Sequence, residues 1–155
     1  MTQTLEIRQA EAADIEGVLG LYAGLDDEAV LPLDAAQAVW QRFARYPNYH
    51  LYVVLDPATL NAQGQPALVG SYALLIMDNL AHCGTPSAIA EDVVVAAARR
   101  SQGIGRRMMA HAIEQARQAG CYKLALSSNA RRTQAHAFYT GLGFAQHGLS
   151  FVIET

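Results

Sequence analysis

A short glycine-bearing turn near the middle of the chain has residue types that can bind an anion. Three valines precede it, Val93, Val94 and Val95, and such a β-branched run is typical of a strand covered on both faces. Gly103 and Gly105 follow after a small, basic connector, and from Ile104 onward apolar residues recur at helical spacing. The first N–H groups of a helix have no intrahelical partner and lie at the positive end of its dipole, where they bind anions. This order of strand, turn and helix predicts a phosphate or pyrophosphate site.

Four arginines surround the same turn. Arg99, Arg100, Arg106 and Arg107 indicate added positive charge around the predicted anion site. The alternative interpretation is that the glycines only shape a tight turn and that the arginines face solvent. Neither common nucleotide-binding motif is present in the sequence, since it has no GxxxxGKS or GxxxxGKT and no GxGxxG that opens a βαβ unit.

Two blocks of the sequence resemble the Gcn5-related N-acetyltransferase (GNAT) superfamily. Residues 100–105 read RSQGIG and resemble the Q/RxxGxG/A signature of these enzymes, whose loop binds the pyrophosphate of coenzyme A. Residues 135–144 read AHAFYTGLGF and resemble the closing AxxFYxxxGF segment. In detail, the motifs are most similar to those of aminoalkylphosphonate and glucosamine-phosphate N-acetyltransferases. The resemblance is strong from the central strand onward and rests on general pattern before it.

The resemblance implies that acetyl-CoA is the co-substrate and that particular residues contact it. The valine strand would hydrogen-bond the pantetheine arm in the manner of an added strand, and a main-chain N–H near Val93 would stabilise the oxyanion of the transition state. The implied coenzyme-binding residues are Val93, Val94, Val95, Arg100, Ser101, Gln102, Gly103, Ile104, Gly105, Arg106 and Asn129.

The implied role of Asn129 meets a departure from the family pattern. Many relatives place an asparagine seven residues before the motif tyrosine, and here that position holds Arg132. Arg131 and Arg132 therefore become candidates for binding either a coenzyme phosphate or an anionic group on the acceptor.

Acetyl transfer to an amine needs a base, an oxyanion donor and an acid for the departing thiolate. Tyr139 matches the motif tyrosine and is the predicted acid. Glu91 is the predicted base, with Asp92 as the competing candidate, because the period of two along a strand lets only one of them face the cleft. A water chain is a third option for the base.

The acceptor is predicted to be a small primary amine, a class that includes zwitterionic amines. Asp26, Asp27 and Glu28 form an acidic connection that could attract an ammonium group, although it could equally be a solvated loop. The alternative function is a noncatalytic acyl-CoA-binding or sensor module on the same fold, and a third is a nucleotide-binding protein of another class.

Composition limits the other options. The chain has 155 residues, a length typical of one domain, so residues 1–155 are expected to form a single N-acetyltransferase domain. A net charge of −3 argues against nucleic acid as a partner. Cys83 and Cys121 have no metal-ligand spacing and are expected to be free thiols, so no metal is predicted. No apolar run is long enough for a membrane span, which favours a cytoplasmic enzyme, and a homodimer is compatible with the sequence.

Hydrophobic periodicity places these residues on predicted elements. The predicted strands are 4–9, 49–55, 67–77, 87–95, 122–127, 144–146 and 149–153. The predicted helices run from Asp14 to about Gly24, from Asp34 to before Pro47, from Ile104 to Gly120 and from Thr133 to Thr140.

These elements predict an α/β (α+β) fold. It comprises a mixed, mostly antiparallel central sheet of about seven strands with four helices. The resemblance further implies a GNAT-type arrangement, in which a splayed parallel pair of strands forms the cofactor site.

Overall fold

A computed structural model describes residues 4–23, 25 and 29–155 of the chain. The chain divides into two compact units, Met1–Ala125 and Leu126–Thr155. Within the described ranges, no helix has both the length and the apolar character needed to cross a bilayer.

The first unit contains a five-stranded sheet in the order β1-β2-β3-β4-β5. The strands are β1 (Glu6–Gln9), β2 (Tyr49–Leu60), β3 (Pro66–Met77), β4 (Ser87–Val95) and β5 (Leu124–Ala125). Neighbouring strands from β1 to β4 are antiparallel, and β5 pairs with β4 in parallel. The predicted mixed, mostly antiparallel α/β fold is therefore confirmed.

Four α-helices accompany the strands in the described residues, as the periodicity predicts. They are α1 (Ile15–Tyr22), α2 (Leu33–Arg42), α3 (Ile104–Gln118) and, in the second unit, α4 (Thr133–Gly141). Gly120 ends the α3 segment with a φ of 74°, a left-handed conformation that favours glycine. The predicted end of α1 at Gly24 and the acidic run 26–28 lie outside the described residues.

The described residues form fewer strands than the seven predicted. Segments 144–146 and 149–153 are not strands, and the segment predicted over 122–127 reduces to the two residues of β5. Alternating apolar residues show which segments could form a strand, but a strand also needs a paired neighbour, and the pairings of this sheet involve none of residues 126–155.

Strand β2 is longer than predicted because Asp56 and Pro57 do not end it. The pairing of β2 with β3 shifts between Asp56 and Leu60, which is a bulge or irregularity. Proline is tolerated at such a point because no ladder hydrogen bond is required of it. The strand therefore continues beyond Asp56, whose side chain is fully buried.

The two faces of the sheet are covered by different helices. On one face, α1 and α2 pack on the strands in a core that includes Ile15, Val18, Ala36, Leu51 and Val53. On the other face lies α3, whose residues Met108 and Met109 are fully buried. Successive side chains of each strand point to opposite faces, and helices cover both faces. Consecutive residues of β2 and β3 are therefore buried, and the sheet is covered on both sides.

A polar contact and a glycine fix α3 against the sheet. The Tyr72 hydroxyl hydrogen-bonds His111 Nδ1 at 2.6 Å, and burial lowers the pKa of the His111 imidazole. A Cβ atom at Gly70 would lie 2.8 Å from the Met108 sulfur, so the missing side chain allows close packing there. The helix that carries the predicted anion site therefore has a fixed position relative to β3.

Candidate active site

The turn before α3 has a backbone that exposes N–H groups. Gly103 is the N-cap residue with a φ of 80°, and Ser101 also adopts a left-handed conformation at 62°. The Gly103 carbonyl accepts the N–H of Arg107 at 3.2 Å, so the helix begins immediately after the glycine. The N–H groups of the first helical turn are therefore available to an external acceptor.

The surface above this turn is unobstructed, as a site for a pyrophosphate group requires. A Cβ atom built at Gly103 would meet no atom within 4 Å, so the surface there is open. Ile104, in contrast, is buried and anchors the start of the helix in the core. Arg100 and Arg106 are exposed beside the turn, as expected for cations that contact an anionic ligand.

Arg99 does not serve as the additional cation that the sequence predicts. Its guanidinium lies 2.8 Å from the Asp56 carboxylate, which is fully buried. A buried carboxylate is stable only when it is paired and hydrogen-bonded, so the positive charge of Arg99 is used within the protein. The sequence predicts that Arg99 adds positive charge around the turn, and its ion pair with Asp56 offsets that charge.

Asp56 connects the β2–β3 hairpin to the turn. Its carboxylate accepts hydrogen bonds from the Thr59 hydroxyl at 2.8 Å and from the Ala58 N–H at 3.0 Å. The Thr59 hydrogen bond, followed by that of Arg99, lowers the pKa of the Asp56 carboxyl. Arg99 Nε in turn donates to the Gln102 side-chain oxygen at 2.9 Å. The buried carboxylate thus connects the hairpin to Arg99 and, through Arg99, to Gln102 in the turn.

A β-bulge in β4 disrupts the alternation on which the choice of base depends. Glu91 pairs with Ala73 and Val94 pairs with Ser71, so the two residues between them face only Tyr72. Asp92 has a φ of 51°, the left-handed conformation that aspartate tolerates better than most residues. Strict alternation no longer applies, so the period of two cannot decide which of the two carboxylates faces the cleft.

A cavity of about 510 Å³ lies between α1, α2 and the sheet. Its walls are mainly aliphatic and aromatic and include Val18, Tyr22, Leu31, Trp40 and Tyr49. Asp92 also lines it, as does Ala73, the register partner of Glu91. The bulge therefore brings the two candidate bases to the face of the sheet that carries this cavity.

Electrostatic effects support the placement of both carboxylates near the cavity. Burial, and then the charge of Asp92, raises the pKa of the Glu91 carboxyl. Burial raises the pKa of the Tyr49 hydroxyl, and the charges of Asp92 and Glu91 raise it further. The pKa of the Tyr22 hydroxyl is raised by burial and by Asp92. A carboxylate with a raised pKa is suited to accept a proton near neutral pH.

In the second unit, α4 carries the predicted acid, Tyr139. Its ring contacts those of Phe138 and Phe144, with centroid distances of 5.2 and 5.8 Å. Burial raises the pKa of the Tyr139 hydroxyl, against a smaller opposite effect from Arg132. The hydroxyl therefore keeps its proton at neutral pH, as a proton donor must.

Asn129 shapes the turn that leads into α4. Its side-chain oxygen accepts the Arg131 N–H at 2.9 Å, and its carbonyl accepts the Arg132 N–H at 3.0 Å. His136 Nε2 also hydrogen-bonds the Asn129 carbonyl at 2.9 Å. The Asn129 oxygen is thus used locally, which leaves the side-chain NH₂ as the group that could bind a ligand.

The predicted site residues divide between the two units. Glu91, the valine strand and the turn 100–106 lie in the first unit, whereas Asn129 and Tyr139 lie in the second. Sequence reasoning missed Asp56 as the buried partner of Arg99 beside the turn. Its position ahead of a proline suggested a turn, and nothing local indicated that it is buried or paired with Arg99.

Comparison with known proteins gives a consistent result. A model of the acetyltransferase (GNAT) family matches residues 20–144. The chain is 34% identical over 145 residues to glucosamine 6-phosphate N-acetyltransferase 1 of Oryza sativa subsp. japonica, covering 93% of this chain and 83% of that protein. It is 38% identical over 149 residues to the aminoalkylphosphonate N-acetyltransferase of Salmonella typhimurium, covering 94% and 88%.

The fold also matches that of a solved structure. A putative acetyltransferase from Agrobacterium tumefaciens aligns with a TM-score of 0.83 and 34% sequence identity. The alignment covers 97% of this chain and 99% of that one. The match therefore extends over both units of the chain.

Proposed function

The chain belongs to the acetyltransferase (GNAT) family, and from that premise we propose that it transfers the acetyl group of acetyl-CoA to a small primary amine. The observation that carries the proposal is the turn at Gly103, where a left-handed glycine opens a helix beneath an unobstructed surface. Its helical N–H groups and the exposed Arg100 and Arg106 are suited to the pyrophosphate of the coenzyme.

In the proposed complex, each part of β4 and the turn has a separate role. The Val93–Val95 backbone hydrogen-bonds the pantetheine arm, and residues 100–106 bind the pyrophosphate. The side-chain NH₂ of Asn129 adds a contact from the second unit. Acetyl-CoA supplies the activated acyl group as a thioester, and every other element of the reaction comes from the residues of the chain.

The proposed chemistry is direct transfer in a ternary complex. Glu91 accepts the proton of the ammonium group, and the amine nitrogen then bonds to the thioester carbonyl carbon. The Val93 N–H stabilises the negative charge on the carbonyl oxygen. As the carbon–sulfur bond breaks, Tyr139 donates its proton to the departing thiolate, and the nitrogen gives its second proton to the Tyr139 phenolate or to water, which leaves a neutral amide. The products are an N-acetylated amine and coenzyme A.

We also propose the domain organisation, binding partner and cellular location of the enzyme. Residues 1–155 act as one catalytic domain, because the family match crosses the boundary between the two units. The partner is a small-molecule amine and not a nucleic acid or a membrane, in keeping with the net charge of −3. The protein acts in the cytoplasm and can form a homodimer. The acid–base chemistry described above uses no metal ion.

The test is acetyl-CoA-dependent release of thiol on a panel of primary amines. Turnover with at least one amine, at a rate that saturates in both substrates, is the expected result. Calorimetric binding of coenzyme A without turnover of any amine would instead indicate a noncatalytic acyl-CoA-binding module. Competition by ATP or NAD against coenzyme A would indicate a nucleotide-binding protein of another class.

A further inference from the structure

The cavity between α1, α2 and the sheet has a size and lining that restrict what it can bind. Its volume of about 510 Å³ lies in the range typical of small-molecule pockets. Trp40, Phe43 and Tyr49 form a continuous aromatic wall, with ring centroids 5.3 and 5.1 Å apart. Leu31 and Val18 add aliphatic surface. An occupant gains most from this pocket by burying an apolar body.

The charge in the cavity restricts the occupant further. Among the described residues that line it, Asp92 is the one with a formal charge, and none is a lysine or an arginine. Asp92 lies in the β4 bulge, next in sequence to Val93, the proposed oxyanion donor. An ammonium group bound at Asp92 would therefore lie one residue from the proposed oxyanion donor. A phosphate or carboxylate in the same cavity would lack a cationic partner.

We propose that the acceptor is a primary amine with an apolar, aromatic-sized body, bound by the cavity with its ammonium group at Asp92. This inference rests on the proposed function and names its substrate class. It competes directly with the interpretation from the sequence that Arg131 and Arg132 select an amine carrying an anionic group.

The first experiment compares kcat/KM for three primary amines that share a two-carbon aminoethyl chain. Phenethylamine presents an aromatic body, ethanolamine a small polar one, and aminoethylphosphonate an anionic one. We expect kcat/KM for phenethylamine to exceed both others by at least about tenfold, the scale on which an apolar pocket discriminates. A preference for aminoethylphosphonate or ethanolamine would overturn the inference and leave the proposed function intact.

A matched pair of variants tests the cavity wall. Leu31 lines the cavity and is 43% exposed, whereas Leu33 does not line it and is 38% exposed. Leu31→Gln should lower kcat/KM for phenethylamine about fivefold or more and leave that for ethanolamine unchanged. Leu33→Gln should change neither value. Equal effects of the two variants would contradict binding in this cavity.

Asp92→Asn tests the ammonium contact, and asparagine tolerates the left-handed conformation of this position. The variant should weaken phenethylamine binding about tenfold while leaving inhibition by phenethyl alcohol, the uncharged analogue, within about twofold of wild type. Equal loss for both ligands would contradict the contact. Absence of turnover with every amine, despite measured acetyl-CoA binding, would overturn the proposed function itself and this inference with it.

Discussion

Tyr139 is the residue on which acid catalysis in the proposed mechanism depends. Because burial raises the pKa of its hydroxyl, the proton is retained through neutral and mildly alkaline pH. Tyr139→Phe should lower kcat by about 10²-fold, the scale of general acid catalysis, and leave acetyl-CoA affinity nearly unchanged. Steady-state kinetics with calorimetry measures both quantities.

The control for this variant is Tyr122→Phe, which removes a hydroxyl from a 43% exposed tyrosine outside the proposed site. It should leave kcat unchanged. If Tyr139→Phe also retained full kcat at neutral pH, Tyr139 would have no part in proton transfer.

The raised pKa of the Glu91 carboxyl predicts how kcat depends on pH. Burial and the charge of Asp92 raise the pKa of its carboxyl, and a base acts only when it is ionised. At saturating substrates, kcat should therefore fall as the pH drops through a value above the ordinary glutamate pKa of about 4.3. Glu91→Gln should lower kcat and abolish this acid limb. An unchanged limb in the variant would assign it to Asp92 or to another group.

At the scale of elements, the Asp56–Arg99 ion pair connects the β2–β3 hairpin to the segment that leads into the turn before α3. Asp56→Asn removes the charge that pairs with Arg99, so it should lower the temperature of unfolding and also weaken acetyl-CoA binding. Calorimetry and thermal unfolding of the same preparation measure the two effects. Asp14→Asn is the matched control, because Asp14 pairs with Arg8 at 2.7 Å, away from the turn.

The control variant should lose thermal stability but keep wild-type acetyl-CoA affinity. Unchanged affinity in both variants would restrict Asp56 to a role in stability.

The stability of the folded protein should also depend on pH through Asp56. Because the folded-state pKa of Asp56 is lowered, its contribution to stability is present above the unfolded value near 4 and is lost as the pH falls through the folded value. Asp56→Asn should therefore reduce the loss of stability in acid.

Elements with a strong local signal could be predicted from the sequence. The helical spacing from Ile104 and the end of that helical segment at Gly120 are present as predicted. These features depend on residues close in sequence, so local pattern suffices to identify them.

The features that were missed depend on contacts distant in sequence. The bulge at Asp92 and the left-handed Ser101 involve residues that are not glycine, so the sequence carries no local mark of their conformation. The burial of Asp56 results from its pairing with Arg99 in another part of the chain. Similarly, the apolar pattern of 149–153 predicted a strand without indicating any partner for it.

For the whole molecule, coenzyme binding should be visible as resistance to unfolding. A ligand that binds only the folded state adds about 2.7 kcal/mol at one hundred times its dissociation constant. Acetyl-CoA should therefore raise the melting temperature of the wild type, whereas Gly103→Glu should abolish the shift. The introduced carboxylate would project over the surface at which the pyrophosphate is proposed to bind.

Gly64→Glu separates this effect from backbone strain. Gly64 has a φ of 74° and Gly103 one of 80°, and in both cases an added Cβ would meet nothing within 4 Å. Both variants should lose stability through left-handed strain, but only Gly103→Glu should lose the acetyl-CoA shift. An equal shift in both variants would contradict the assignment of the turn.

The ion pair between Asp56 and Arg99 also has a consequence for the rate of coenzyme capture. An ion pair and side-chain hydrogen bonds connect Arg99 to Gln102 and to the hairpin. Because these contacts involve no ligand, the turn is ordered before a ligand binds. In the proposed function, acetyl-CoA binds a preorganised turn, so little conformational entropy is lost on association. Its association should accordingly proceed in a single kinetic phase whose rate is proportional to coenzyme concentration, without a slower step in which the turn folds around the ligand.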